Sequence, residues 1–304
     1  MPPIRSALAV WLLLGVVLLG SLAPRGALAA PRATTIPVEN FSRVHSVYFR
    51  PPLGAAAEQP LQIMVALHGI GGDGEEFARE LEEQADCNRW LLVAPTFQYD
   101  ADWGDPAEIA LEDPALIRWL AEFIEQLPDR AGVPVRSRIL LLGHSRGAQL
   151  AHRFALFYPD RVLAVAALSA GTYTLPFTKG PLGQPMTFPF GVGDLPSFME
   201  RSFSRAQLET VQFWVSVGSE DDNPDDVPDA WDPYIGTTRV QRARAFQRTM
   251  RSLGARSHLS VYRGAYHGLT AEMRSGACAF LREAAAAEIG PPYYLLSTRK
   301  PVPM

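Results

Sequence analysis

The stretch Arg138-Ile139-Leu140-Leu141-Leu142-Gly143-His144-Ser145-Arg146-Gly147-Ala148-Gln149-Leu150-Ala151 decides how this 304-residue chain is read. Its aliphatic run, at residues 138–142, is short and apolar at successive positions, as a strand covered on both faces of a parallel sheet must be. Residues 146–158 read as a helix that buries Ala148, Leu150 and Ala151. Between the two lies Gly143-x-Ser145-x-Gly147. A serine hydroxyl is a poor nucleophile until a base takes its proton, and it must project where acyl carbon and base can both reach it. A tight strand-to-helix turn achieves this, and the flanking glycines permit the close helix packing that such a turn imposes. Ser145 is therefore the candidate nucleophile.

The same rhythm extends in both directions. Strands are expected at 61–67, 90–94, 162–168, 211–217 and 259–262, and helices at 75–83, 114–126, 239–253 and 270–287. Alternating strands and helices imply βαβ units, hence an α/β fold with a mostly parallel central sheet and helices on both faces. This domain spans 60–289, after a leader at 30–59 with weak strand character at 45–50. An insertion at about 171–205 breaks the rhythm with Pro176, Pro181, Pro185, Pro189 and Pro196 among Tyr173, Phe177, Phe188, Phe190 and Phe198. It reads either as an aromatic lid or as a surface excursion packing its own aromatics. Residues 223–238 form an acidic, proline-containing stretch, and the tail at 290–304 is a strap or a disordered end.

Composition narrows the classes. With 47% apolar and 20% charged residues the chain can bury a substantial core, and a net charge of -4 offers no general attraction to a polyanion, which excludes nucleic acid as an expected partner. Residues 1–29 read as a signal peptide: Arg5, an uncharged run from Ser6 to Pro24, then Ala27-Leu28-Ala29, with cleavage after Ala29. Removal leaves 275 of the 304 residues and, by loss of Arg5 and Arg25, a net charge of -6. The mature chain is then expected outside the cytoplasm, secreted or periplasmic, with no stable membrane insertion. Two cysteines, Cys87 and Cys278, cannot form a structural zinc site, and in an oxidising compartment they stand either as a bridge or as two free thiols.

Three further elements suit acyl chemistry. Leu67-His68-Gly69-Ile70-Gly71-Gly72 ends a strand upstream of Ser145 and can bring backbone donors to a developing oxyanion. The expected donors are the N–H groups of Ile70 and Arg146, with His68 tying down the loop. Of the six histidines, His267 in Tyr266-His267-Gly268 follows the last strand and is the candidate base, whereas His144, His152 and His258 read as structural. The strand at 211–217 ends in Gly218-Ser219-Glu220-Asp221-Asp222, where Asp221 is the candidate acid and Asp222 its competitor, ahead of Asp225 and Asp226. Trp103 and Asp105 either line the cleft or belong to a packed surface.

The order Ser145, Asp221, His267, with LHGIGG upstream and GHSRG at the turn, resembles the α/β-hydrolase superfamily over residues 61–287. Within it the chain is most similar to compact secreted esterases of the polyhydroxybutyrate-depolymerase and feruloyl-esterase-like group, through the HG-x-GG loop, the signal peptide, and the GSED and YHG ends. It departs from the commonest pattern at Arg146, where relatives carry an apolar residue or glutamine; a backbone N–H role does not depend on that side chain. The resemblance implies helices near 75–83 and 270–287 on one face of the sheet, which brings Cys87 and Cys278 closer. It also implies an exported serine carboxylic-ester hydrolase acting through an acyl-enzyme on a small or polymeric ester, with no cofactor or metal. A secreted serine peptidase or amidase with the same three residues is the nearest alternative, and a non-catalytic exported binding module the more distant one.

Overall fold

The computed structural model describes residues 33–53, 60–132, 134–180, 183–288 and 294–295. The expected signal peptide lies outside the described residues, as do all of the tail but 294–295. In chain order the elements are β1 (Thr34–Pro37), β2 (Val44–Arg50), β3 (Gln62–Leu67), α1 (Gly74–Arg79), α2 (Glu82–Asn88), β4 (Trp90–Phe97), α3 (Pro106–Glu125), α4 (Leu127–Ala131) and β5 (Val135–Arg136). There follow β6 (Ile139–His144), α5 (Arg146–Phe157), β7 (Val162–Leu168), α6 (Pro196–Met199), α7 (Arg205–Leu208), β8 (Gln212–Gly218) and α8 (Asp232–Ile235). The last are α9 (Arg239–Ser252), β9 (Arg256–Tyr262), α10 (Ala271–Ala287) and β10 (Tyr294–Leu295), whose backbone pairs with β5.

Eight strands form one sheet in the order β1-β2-β4-β3-β6-β7-β8-β9. From β4 to β9 every neighbouring pair is parallel, and only β1 and β2 run against their neighbours. The α/β class and the mostly parallel sheet are as the sequence pattern predicts. Every residue of β3, β4 and β7 is buried, which is why these segments read as continuous apolar runs. Alternate side chains feed two cores: Val65, Leu141 and Val165 meet Leu120 of α3 and Phe154 of α5 on one face. Met64, Leu140 and Ala164 meet Ala78, Leu81, Ala277 and Leu281 on the other. The helices near 75–83 and 270–287 thus share a face. The chain reverses its direction of travel across the sheet between β3 and β6, and the carboxyl ends of strands flanking such a switch point are where α/β sheets form ligand crevices.

Several expectations change. The leader contributes two strands, β1 and β2, to the sheet edge. The helix expected at 114–126 begins at Pro106, capped by the Asp105 carboxylate on the Ala107 N–H, and runs straight through Pro114. A proline there removes only one intrahelical bond, and the buried row Ile109, Leu116, Ile117, Leu120 outweighs it. The segment 75–83 divides into α1 and α2.

The bridge between Cys87 and Cys278 is absent: both thiols are free, Cys87 exposed on α2 and Cys278 buried on α10 among the side chains of the second core. The lid reading of the insertion gives way to packing. Phe188 and Phe198 meet Phe157 of α5, Phe190 meets Trp231, and Tyr173 stacks on Phe246 of α9. The insertion's aromatics are spent on the core, and none of its described residues lines the cleft next to Ser145.

Candidate active site

Ser145 joins β6 to α5 with φ 53° and ψ -117°, a left-handed conformation that costs a side-chain-bearing residue about 1–3 kcal/mol. Its own N–H is anchored to the Leu168 carbonyl of β7 at 2.8 Å. The glycines are sterically required: a Cβ on Gly143 would stand 2.3 Å from the Gly147 carbonyl oxygen, and one on Gly147 2.1 Å from that of Leu67. The turn therefore presses α5 against the end of β3 and leaves the serine hydroxyl projecting at the switch point.

Two loops complete the arrangement. The loop after β9 brings the His267 imidazole to Ser145, with Nε2 2.9 Å from Oγ. The loop after β8 brings Asp221, whose Oδ2 lies 2.9 Å from His267 Nδ1. A carboxylate accepting from Nδ1–H leaves Nε2 as the acceptor, so the serine hydroxyl donates to it; this is the tautomer a general base needs. Burial would push the Asp221 carboxyl up, but the His267 hydrogen bond and the Arg239 charge hold it below the usual range. Asp222, Asp225 and Asp226 are exposed, and none of them bonds to His267.

The remaining histidines have other tasks. His68 Nε2 accepts from the Phe97 N–H, so its Nδ1–H donates to the Gly69 carbonyl and ties the glycine loop to β4. His152 accepts from the Thr174 N–H and donates to the Ala148 carbonyl. His144 bonds through Nε2 to the His267 carbonyl and so holds that loop. His258 is exposed within β9 rather than ahead of it.

Burial drives the His144 pKa down to about 4 and that of His152 down to about 3. A histidine that stays neutral when folded binds more protons when unfolded, so stability must fall as pH drops from about 6.5 toward 4. We expect the urea midpoint to decline across that window and His152→Gln to flatten the decline; an unchanged slope would contradict the assignment.

Ile70 is exposed and lines the hollows on both sides of Ser145, and a Cβ on the neighbouring Gly69 would stand 3.4 Å from Ser145 Cβ. The Arg146 N–H opens α5, where no preceding turn offers it a carbonyl. Both residues expected to donate are thus neighbours of the serine. The Arg146 side chain, by contrast, is buried away from water and paired with Glu112 and Asp113 of α3, its guanidinium 4.9 Å from the Tyr99 ring centre.

The cleft in front of Ser145 and His267 has a volume of about 870 Å³. Trp103 lines it together with Val227 and Pro228, so of the two readings for that tryptophan the cleft wall holds; Asp105 lies on the rim while capping α3. Two residues here were not foreseen. Arg239 bonds Asp221 Oδ1 at 2.9 Å and the Asp226 carbonyl at 2.7 Å, fixing the acid from the side opposite His267. Gln149 forms part of the cleft floor. Neither carries a sequence signal: Arg239 only begins the helix expected at 239–253, and Gln149 lies in an otherwise ordinary helix. Among the described residues, no group of three or more His, Cys, Asp or Glu side chains is disposed to hold a metal ion.

Comparison with known proteins places this geometry in context. A family model described as alpha/beta hydrolase fold matches residues 62–216. The chain is similar in structure to LpqC, a poly(3-hydroxybutyrate) depolymerase from Bordetella parapertussis, with 20% identity, a TM-score of 0.59, and 82% of this chain and 87% of that one covered. It is similar to poly(aspartic acid) hydrolase-1 from Sphingomonas sp. KT-1, at 18% identity, TM-score 0.56 and coverage of 83% and 98%. It is also similar to the carboxylesterase EstE1 from a metagenomic library, at 16% identity, TM-score 0.53 and coverage of 83% and 88%. No curated protein matches. At these identities the likeness concerns the fold.

Proposed function

The chain belongs to the alpha/beta hydrolase fold family, and from that premise we propose that it is a serine carboxylic-ester hydrolase with Ser145 as nucleophile, His267 as base and Asp221 as the acid that orients it. The observation that carries this reading is the His267 ring, 2.9 Å from Ser145 Oγ on one side and 2.9 Å from Asp221 on the other, at the mouth of the cleft.

His267 Nε2 takes the serine proton as Oγ attacks the ester carbonyl, and the N–H groups of Ile70 and Arg146 bind the oxyanion. The imidazolium then gives its proton to the departing alkoxide, leaving an acyl-enzyme. Water, deprotonated by the same nitrogen, attacks the acyl carbon, and the acid leaves as Ser145 recovers its proton. Asp221 stabilises the imidazolium in both steps without accepting a proton. Arg239 keeps Asp221 charged and aimed.

Export is part of the proposal and is supported by the signal-peptide pattern of residues 1–29. An ester, small or polymeric, is the proposed substrate, supported by the cleft chemistry and by the ester-cleaving proteins among the fold neighbours.

The test is hydrolysis of a panel of p-nitrophenyl acyl esters, a feruloyl ester and an aminoacyl anilide by the chain without residues 1–29. Ester cleavage is expected; cleavage of the anilide alone would replace the esterase reading with an amidase one. Within that assay Asp221→Asn should lower kcat about 10³-fold or more, and Asp222→Asn should stay within about threefold. The reverse order would overturn the choice of acid.

A further inference from the structure

We infer that Gln149 is a specificity-determining donor for a second oxygen of the substrate, a neutral carbonyl or hydroxyl lying a few bonds from the scissile ester. The inference rests on the esterase reading for the position of the substrate, but its structural basis is separate from the three residues proposed to react.

Gln149 lies in the first turn of α5 and donates its backbone N–H to the Ser145 carbonyl at 3.2 Å, which keeps the two residues close at the start of the helix. Its side chain is nearly fully buried yet forms part of the cleft floor. Which end of the amide faces the cleft follows from hydrogen-bond chemistry. Arg153, buried behind it, can only donate, and its Nη2 lies 2.6 Å from Thr172 Oγ1. The Thr172 hydroxyl accepts there and donates its own proton to Gln149 Oε1 at 2.9 Å. Turning the amide over would place its NH2 against an oxygen already accepting from Arg153 and would strand the buried hydroxyl proton, at a cost of about 1–3 kcal/mol. The polarity of the chain Arg153 to Thr172 to Gln149 is therefore fixed, and Nε2 is left to the cleft.

Nothing among the described residues accepts from that Nε2. The position of a Cβ on Gly171 lies 3.3 Å from Nε2 and 3.0 Å from the Trp103 ring, so the glycine leaves the amide and the indole side by side. Trp103, Val227 and Pro228 supply apolar walls, and the carboxylates of Asp225 and Asp226 on the rim disfavour an anionic group. An oriented N–H donor beside an aromatic wall suits an uncharged acceptor on an otherwise apolar acyl chain. A site built to bond an oxygen discriminates against the analogue that lacks it.

The experiment compares matched p-nitrophenyl esters that differ only in the acceptor: 4-oxopentanoate against 4-methylpentanoate, and 3-hydroxybutanoate against 3-methylbutanoate. The protein should prefer the oxygenated member in at least one pair, and Gln149→Met should lower that ratio of kcat/KM values about five- to tenfold. Thr172→Val, which frees the amide to turn, should lower the ratio as well, while Thr172→Ser should preserve it. A purely structural role would change both members of a pair equally.

Binding of methyl 4-oxopentanoate and methyl 4-methylpentanoate is followed by calorimetry in Ser145→Ala protein, with and without the further substitution Gln149→Met. This separates the two readings. A Gln149-dependent preference in binding without any ester turnover would sustain this inference and defeat the esterase proposal. Ratios unchanged by Gln149→Met, in turnover or in binding, would overturn the inference and leave the esterase proposal standing.

Discussion

Replacing Ser145 with alanine should abolish ester turnover, lowering kcat by about 10⁴-fold or more, while leaving the protein folded. The size of the loss follows from shared labour among three residues. Among the described residues the His267 ring bonds to Ser145 and Asp221 alone, and in the proposed mechanism Asp221 acts only through His267, so removing Oγ should disable all three. What remains is the polarisation of a bound ester by the N–H groups of Ile70 and Arg146, through which water could attack slowly. Stability should be unaffected because the substitution keeps the Cβ and alters no packed contact. The left-handed backbone at φ 53° is imposed by Gly143, Gly147 and the Leu168 anchor, none of which the hydroxyl supports. Ser145→Gly should therefore match Ser145→Ala in inactivity yet melt at a higher temperature, since glycine adopts that conformation without strain. Measured kcat alongside thermal unfolding would decide the matter. Retained turnover in Ser145→Ala would remove the serine from the mechanism, and a collapse of the fold would mean that the hydroxyl serves structure.

How far the residues could be read in advance depended on whether their signals were local. The run Ile139–His144 and its glycine-flanked serine announce strand, turn and helix within a dozen residues, because sterics and burial act there at short range. The triad candidates were legible for a related reason: each follows a strand, and strands of a parallel sheet deliver their ends to one edge. Arg239 was not legible, because its meaning arises only when α9 packs beside the loop after β8 and turns an arginine of a basic run onto Asp221. Gln149 was missed since its role depends on Thr172, 23 residues away in a loop. The bridge between Cys87 and Cys278 failed on direction: sharing a sheet face does not aim two side chains at one another, and Cys278 turns into the core while Cys87 turns out. The insertion misled through its composition, since aromatics that could have covered a cleft fill the gap beside α5 and α9 instead.

The same long-range logic yields the largest expected effect on stability. Asp113 sits in the middle of α3, completely buried, and accepts from Arg146 on one oxygen and from Arg153 on the other, the latter at 2.6 Å. Burial would raise its carboxyl pKa, but the two guanidinium charges hold it below the usual range, so it is ionised in the fold. Nε and Nη1 of Arg146 have no hydrogen-bond partner among the described residues, and its Nη2 is shared between Asp113 and Glu112.

Asp113→Asn nearly preserves shape while removing a charge and turning an NH2 toward a guanidinium that can only donate. Arg146 would then keep Glu112 as its charged partner while Arg153 would keep only the Thr172 and Thr174 hydroxyls, and breaking a buried pair in this way costs about 3–5 kcal/mol. For a chain of this size that corresponds to a fall in melting temperature of roughly 10 °C. Asp225→Asn, at an exposed site, should stay within about 0.5 kcal/mol and serves as the control.

The loss should also reach the chemistry. Arg146 contributes its N–H at the start of α5 and its side chain to this cluster, so loosening the cluster loosens the residue proposed to hold the oxyanion. Below the new melting temperature, Asp113→Asn should therefore reduce kcat more than it raises KM. A variant that kept full stability would show that α5 is held by its apolar face alone, and that the buried charges are incidental to the position of Ser145.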